Sequence, residues 1–207
     1  MNLLKITTKI SFFCCSVSGL FLDRYIDWRS KTNDFYKLNL VFDLDNTLMS
    51  SEKISRYNQF NNKLINKYDF KTNFINTKDE DQYYVWIRPH AKLFLGVISK
   101  FTNVYVFTAA KEKYANNIVD ELFTKKPINI YHYDNYKLLH KKDLKIIAID
   151  LNKTYLIDDK ISNKVDNQNF YHIPQYHYHN KNDNEILKLF IWILKKDLLY
   201  IKNNLDK

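Results

Sequence analysis

The chain reads as an α/β protein built on a doubly wound parallel sheet, and three observations carry that reading. Short apolar runs alternate with longer segments of helical periodicity, the order in which strands and covering helices follow one another in a parallel sheet. The runs Leu40–Phe42, Val104–Phe107 and Tyr155–Ile157 are apolar throughout, as strands buried on both faces are. Each of them ends in polar residues: Asp43 and Asp45, Thr108, and Asp158 with Asp159. Open α/β sheets bind ligands beyond the carboxyl ends of their strands, so the three endings mark one candidate site.

Length and composition set the frame. A chain of 207 residues fits one domain with an insertion. Residues 1–37 read as an apolar N-terminal extension, 38–201 as the domain, and about 50–84 as a polar insertion after the first strand. Aromatic residues at 16% and hydrophobic residues at 45% exclude a disordered chain. The formal charge of +9 favours polyanionic partners, phosphoproteins or nucleic acid, although the lysines are spread along the chain rather than gathered in one block. Cys14 and Cys15 are adjacent and alone, which gives neither a disulfide framework nor a zinc spacing. That suits a reducing intracellular compartment, nucleus or cytoplasm.

The elements follow in order. Residues 10–22 are uncharged and apolar, follow Lys5 and Lys9, and are too few for the ~20 residues of a spanning helix. They read either as an element packed under the domain or as a targeting segment. After the first strand, residues 50–84 are rich in Asn and Lys; irregular structure is expected there, with a hairpin around Asn76–Tyr84 and a lid or platform role. Pro89 suits the first turn of a helix, with Leu93, Phe94, Val97, Ile98 and Phe101 at helical spacing. The strand to Thr108 precedes a helix over Lys111–Phe123, whose apolar side is Tyr114, Ile118, Val119, Leu122 and Phe123. Ile128–Tyr133 reads as a strand and Lys142–Ile149 as mixed. Glu185–Ile201 reads as a packed helix, since Lys188, Lys195, Lys196 and Asp197 interrupt any membrane-spanning pattern.

The acidic strand end carries the chemistry. Alternation places Asp43 and Asp45 on the same side. Neighbouring carboxylates repel, so their pairing makes sense with a cation between them or with divided nucleophile and acid roles. His177 and His179 also alternate and could ligate a second metal.

These residues resemble the haloacid-dehalogenase superfamily, with its Rossmann-like core. Within it they resemble the FCP/SCP group, the NLI-interacting-factor-like relatives of the RNA polymerase II C-terminal-domain phosphatases. Asp43-Leu-Asp45-Asn-Thr47 matches the first motif, Trp86-Ile-Arg88-Pro89-His90 the Arg-Pro segment, and Thr108-Ala-Ala with Tyr114-Ala115 the second motif. Lys141-Lys142-Asp143-Leu144 matches the third and Asp158-Asp159 the fourth. The resemblance implies a Mg²⁺-dependent phosphoprotein Ser/Thr phosphatase that acts through an aspartyl-phosphate on Asp43. Asp45 would be general acid and then base, and Thr108 and Lys142 would hold phosphate oxygens, with Lys141 the rival for the lysine role. Asp43, the Asp45 backbone carbonyl, Asp158 and Asp159 would supply the metal ligands. Substrates implied are a polymerase tail or a basic DNA-packaging protein. Two departures from the family pattern touch specificity and metal: no arginine follows Tyr131-His132-Tyr133, and Asp159 stands where the family usually has Asn. A domain of this family that only binds, as in mitochondrial import receptors, is the competing reading.

Overall fold

A computed structural model describes residues 19–54, 68–75, 80–132, 141–147 and 150–205. Its centre is a five-stranded sheet. Strands β1 (Asn39–Phe42), β5 (Asn103–Phe107), β6 (Ile130–Tyr131), β7 (Thr154–Asp158) and β8 (Asn169–His172) lie in the order β6-β5-β1-β7-β8. Every pairing among them is parallel. β1 is central and buried throughout because its residues face two cores in alternation. Leu40 and Phe42 join one cluster with Val104, Val106 and Ile157, whereas Val41 joins another with Tyr105, Phe107 and Leu156. The period of two in the pleat thus explains why the strand has no polar position.

Helices α1 (19–30), α2 (Ala91–Ile98), α3 (Glu112–Leu122) and α4 (Glu185–Leu205) complete the fold. Ile26, Ala91, Phe94, Ile118 and Leu189 place all four on the larger core. The second face is covered by Leu144, Ile147 and Leu151, which belong to short 3-10 turns. The apolar side expected for α3 is buried as read, Tyr114, Ile118, Val119 and Leu122 included. α2 differs: its buried face is Ala91, Phe94, Leu95 and Ile98, and Leu93 is 72% exposed. The helix begins only after His90, whose left-handed backbone (φ 68) sets the phase, and Pro89 precedes that cap instead of occupying the first turn.

The segment 50–84 departs most from expectation. Strands β2 (Met49–Lys53), β3 (Phe70–Ile75) and β4 (Glu80–Ile87) form an antiparallel sheet in the order β2-β4-β3. The hairpin read around Asn76–Tyr84 overlaps a longer antiparallel β3–β4 pairing, and its residues 76–79 lie outside the described residues. Its polar residues gave no clean alternation. What fixes the sheet is Val85 and Trp86 of β4, both buried against the domain. β8 was also unforeseen as a strand; it closes one edge of the main sheet beside β7.

Of the apolar segment 10–22, only residues 19–22 are described, within α1, where Leu20 and Phe21 are exposed. α1 is held further along. Buried Arg29 donates to Asp197 of α4 through Nε (2.8 Å) and Nη2 (2.7 Å), and the Tyr25 hydroxyl donates to the same carboxylate at 2.5 Å. Asp197, read as a polar interruption of α4, is thus a buried anchor for α1. Among the described residues no helix is long and apolar enough to cross a membrane.

Candidate active site

Three strand ends and one loop converge on a cavity of about 300 Å³. Asp43, Asp45, Thr108 and Lys142 line it together with Ser51, Tyr83, Ala109, Ala110, Tyr114, Lys160 and Asn163. The sheet explains the convergence, because β1, β5 and β7 are adjacent and parallel and so end on the same side.

Asp43 extends the β1 ladder by one bond, its N–H donating to the Ile157 carbonyl at 3.0 Å. The chain then turns sharply: the Leu44 carbonyl accepts from Thr47 and Leu48, and Asn46 takes a left-handed conformation (φ 62) that asparagine tolerates. The turn is clamped from below by Arg88, which is 1% exposed. Its guanidinium donates to the Thr47 carbonyl (2.9 Å), the Pro174 carbonyl (2.9 Å) and both oxygens of buried Asp183 (2.8 and 2.9 Å). The Arg-Pro segment of the sequence therefore acts through the backbone of the acidic turn.

Lys142 is buried and joins two strand ends, its ammonium donating to Asp43 Oδ1 at 2.5 Å and Asp158 Oδ2 at 2.7 Å. Lys141 is exposed. Asp158 also accepts from Asn163 Nδ2 on both oxygens (3.0 and 2.9 Å) and from the Lys160 N–H (2.7 Å). That engagement suits Asp158 to holding Lys142. The Asp159 carboxylate accepts from the Thr47 hydroxyl (3.3 Å), and the Asp159 N–H donates to that hydroxyl at 3.1 Å. Thr108 Oγ1 accepts from the Ala110 N–H at 3.1 Å, which leaves the hydroxyl hydrogen for an acceptor in the cavity.

The electrostatics follow from burial. Asp43 is pushed up to about 7, first by burial, then by Asp158 and Asp45, against the pull of Lys142. Burial also raises Asp45, partly offset by the Tyr114 hydroxyl, and raises Asp159, with Asp158 adding to it. Burial opposes the charge on Lys142, but Asp43 and Asp158 outweigh it and hold the ammonium above its usual range. One lysine inside the cluster cannot neutralise so many carboxylates.

A divalent cation fits that excess. Ligand oxygens of Asp43, Asp158 and Asp159 lie within 4.8 Å of one another, and this hard-oxygen set matches Mg²⁺. The Asp45 carboxyl is not part of this group, which leaves its backbone carbonyl as its expected contribution. His177 and His179 are exposed beside Tyr178, whose ring stacks on Trp86 at 4.1 Å.

Sequence reading gave no site role to five lining residues, Lys160 among them. Tyr114 was read on the apolar side of its helix and in the second-motif match, Ser51 falls in the segment read as irregular, and Tyr83 falls in the hairpin expected around Asn76–Tyr84. Asn163 follows Asp158 by five positions, near enough in sequence to have been considered.

The parallel sheet thus ends in an acidic, lysine-bridged cavity. The chain belongs to the NLI interacting factor-like phosphatase family, whose model matches residues 38–203. A CTD small phosphatase-like protein of Caenorhabditis elegans is 34% identical over 122 residues, covering 52% of this chain and 39% of its own length. A putative CTD phosphatase-like protein of Invertebrate iridescent virus 6 is 31% identical over 144 residues, 58% of this chain and 75% of its own. A CTD nuclear envelope phosphatase 1 homolog of Drosophila melanogaster is 30% identical over 128 residues, 58% of this chain and 51% of that protein. The chain thus spans about half or less of the worm and fly relatives. The structure of Fcp1, an RNA polymerase II CTD phosphatase, shares the fold with a TM-score of 0.55 at 20% identity, over 83% of this chain and 54% of that one.

Proposed function

We propose that the chain is a Mg²⁺-dependent protein Ser/Thr phosphatase working through an aspartyl-phosphate on Asp43. The observation that carries the reading is the shared cavity: Asp43 and Asp45 face it side by side, with Lys142 on Asp43 and Thr108 on its wall.

The chemistry divides into two displacements. An Asp43 oxygen attacks phosphorus, the bond to the seryl or threonyl oxygen breaks, and Asp45 donates a proton to that oxygen as it leaves. In the second step Asp45 takes a proton from water, which attacks the phosphoryl group and returns Asp43 as phosphate departs. Negative charge on the transferring group calls for donors already in place. The Lys142 ammonium and the Thr108 hydroxyl supply them. Asp43, Asp159 and the Asp45 backbone carbonyl would hold Mg²⁺, with Asp158 beside them; the ion would neutralise charge on the phosphoryl oxygens and keep Asp43 ionised.

The relatives' names point the substrate class toward phosphoproteins such as a polymerase tail; the family resemblance adds a basic DNA-packaging protein as an alternative. A binding-only role fits poorly, because such a role needs neither Asp43 nor Asp45 and both are retained. The test is hydrolysis of p-nitrophenyl phosphate with and without Mg²⁺, in wild type and Asp43→Asn. Metal-dependent turnover confined to wild type supports the reading. Equal rates in both proteins would refute it.

A further inference from the structure

The acid residue has a support that the reaction scheme does not use. Tyr114 of α3 and Ser51 of β2 meet at one oxygen of Asp45: the phenol oxygen is 3.0 Å from Asp45 Oδ1, and the Ser51 hydroxyl is 3.4 Å from it. The two hydroxyls are 2.9 Å apart. We propose that Tyr114 and Ser51 are positioning residues that lock the Asp45 carboxyl through Oδ1 and thereby present Oδ2 to the leaving oxygen. This rests on the phosphatase reading above and deepens it.

Hydrogen counting supports the choice of oxygen. A phenol and an alcohol bring one hydrogen each. If Tyr114 donates to Asp45, Ser51 donates to Tyr114; if Tyr114 donates to Ser51, Ser51 donates to Asp45. Both arrangements keep every hydrogen inside the triad, and in both Oδ1 accepts. An acid whose Oδ1 accepts carries its own proton on Oδ2. Tyr114 is a buried neutral phenol set against a carboxyl, which makes it a donor there. The two supports come from different elements, the main-domain helix and the small antiparallel sheet, so the acid is aligned only when that sheet is docked. Tyr83 of the same sheet packs edge-on against Tyr114, with ring centroids 6.1 Å apart.

The test compares kcat/KM for p-nitrophenyl phosphate and phenyl phosphate with Mg²⁺. The two are close in size and differ in how much the departing oxygen needs a proton; kcat/KM covers the steps through its departure. In Tyr114→Phe the ratio of the first to the second should rise about tenfold over wild type, a fraction of what a well-placed acid supplies. Ser51→Ala should raise it in the same direction, and it decides the matter if Tyr114→Phe does not fold. Equal losses on both substrates in a folded variant overturn the proposal and leave the hydroxyls as packing. A wild type that turns over neither substrate removes the phosphatase reading and this one with it; an active wild type with an unchanged ratio in the variants removes this one alone.

Discussion

Asp43 carries two demands that pull against each other. As the nucleophile of the proposed reaction it would have to be ionised, yet burial and its acidic neighbours hold it up to about 7 even with Lys142 in contact. A bound cation would resolve the conflict, because metal ligation requires the deprotonated form. Mg²⁺ affinity, followed by isothermal titration at fixed ionic strength, should therefore rise as pH increases toward about 7 and flatten above it. The same shift has a sign for stability. A carboxyl raised above its ordinary 3.8 stabilises the metal-free fold below that value and loses the contribution as pH climbs through about 7. Metal-free protein should accordingly lose stability to urea between mildly acidic and mildly basic pH. Asp45→Asn keeps the shape but supplies no proton, and a fall of about 10² to 10⁴ in the rate with a phosphoserine peptide is expected from steady-state kinetics.

At the scale of elements, two buried arginines do the joining. Arg88 ties the β1 turn to the stretch before α4, and Arg29 ties α1 to α4. Breaking a buried pair from one side leaves the other charge without compensation, at a cost of about 3–5 kcal/mol. Arg29→Met should lower the urea midpoint by an amount in that range, whereas Arg29→Met with Asp197→Leu should recover most of it, since Asp197 is 0% exposed and an apolar pair can fill the site. Arg88→Met adds a second effect. It frees the Thr47 carbonyl, and through the Thr47 hydroxyl also Asp159, so Mg²⁺ affinity should fall along with stability. Neither arginine would announce itself in sequence as buried. Only the partner across the fold shows why each charge is inside.

For the whole molecule, the Mg²⁺ proposed for the acidic cluster would be a stabiliser as well as a counter-charge to the phosphoryl group. Anything that binds only the native state shifts the unfolding midpoint by mass action. The melting temperature of wild type should rise with Mg²⁺ concentration, and in Asp159→Asn the rise should need more Mg²⁺, as scanning calorimetry would show. The N-terminal extension belongs to this scale too. Its residues 19–30 are part of the packed domain through Arg29 and Tyr25, so the family match that begins at residue 38 understates what folds together.

Local sequence was sufficient for β1, β5, β7, α3 and α4, because each buries a continuous or periodic apolar surface and that surface is written in consecutive residues. Strand ends in a parallel sheet grouped Asp43, Asp45, Thr108, Asp158 and Asp159, and the family resemblance added Lys142 to them. Local sequence did not show the small sheet, whose polar strands are held by Val85 and Trp86 docking elsewhere, nor the phase of α2, set by the backbone of His90. The grip of Tyr114 and Ser51 on Asp45 was likewise decided only in three dimensions. Burial pattern is a property of short segments, whereas hydrogen-bond partners tens of residues apart exist only once the chain has closed.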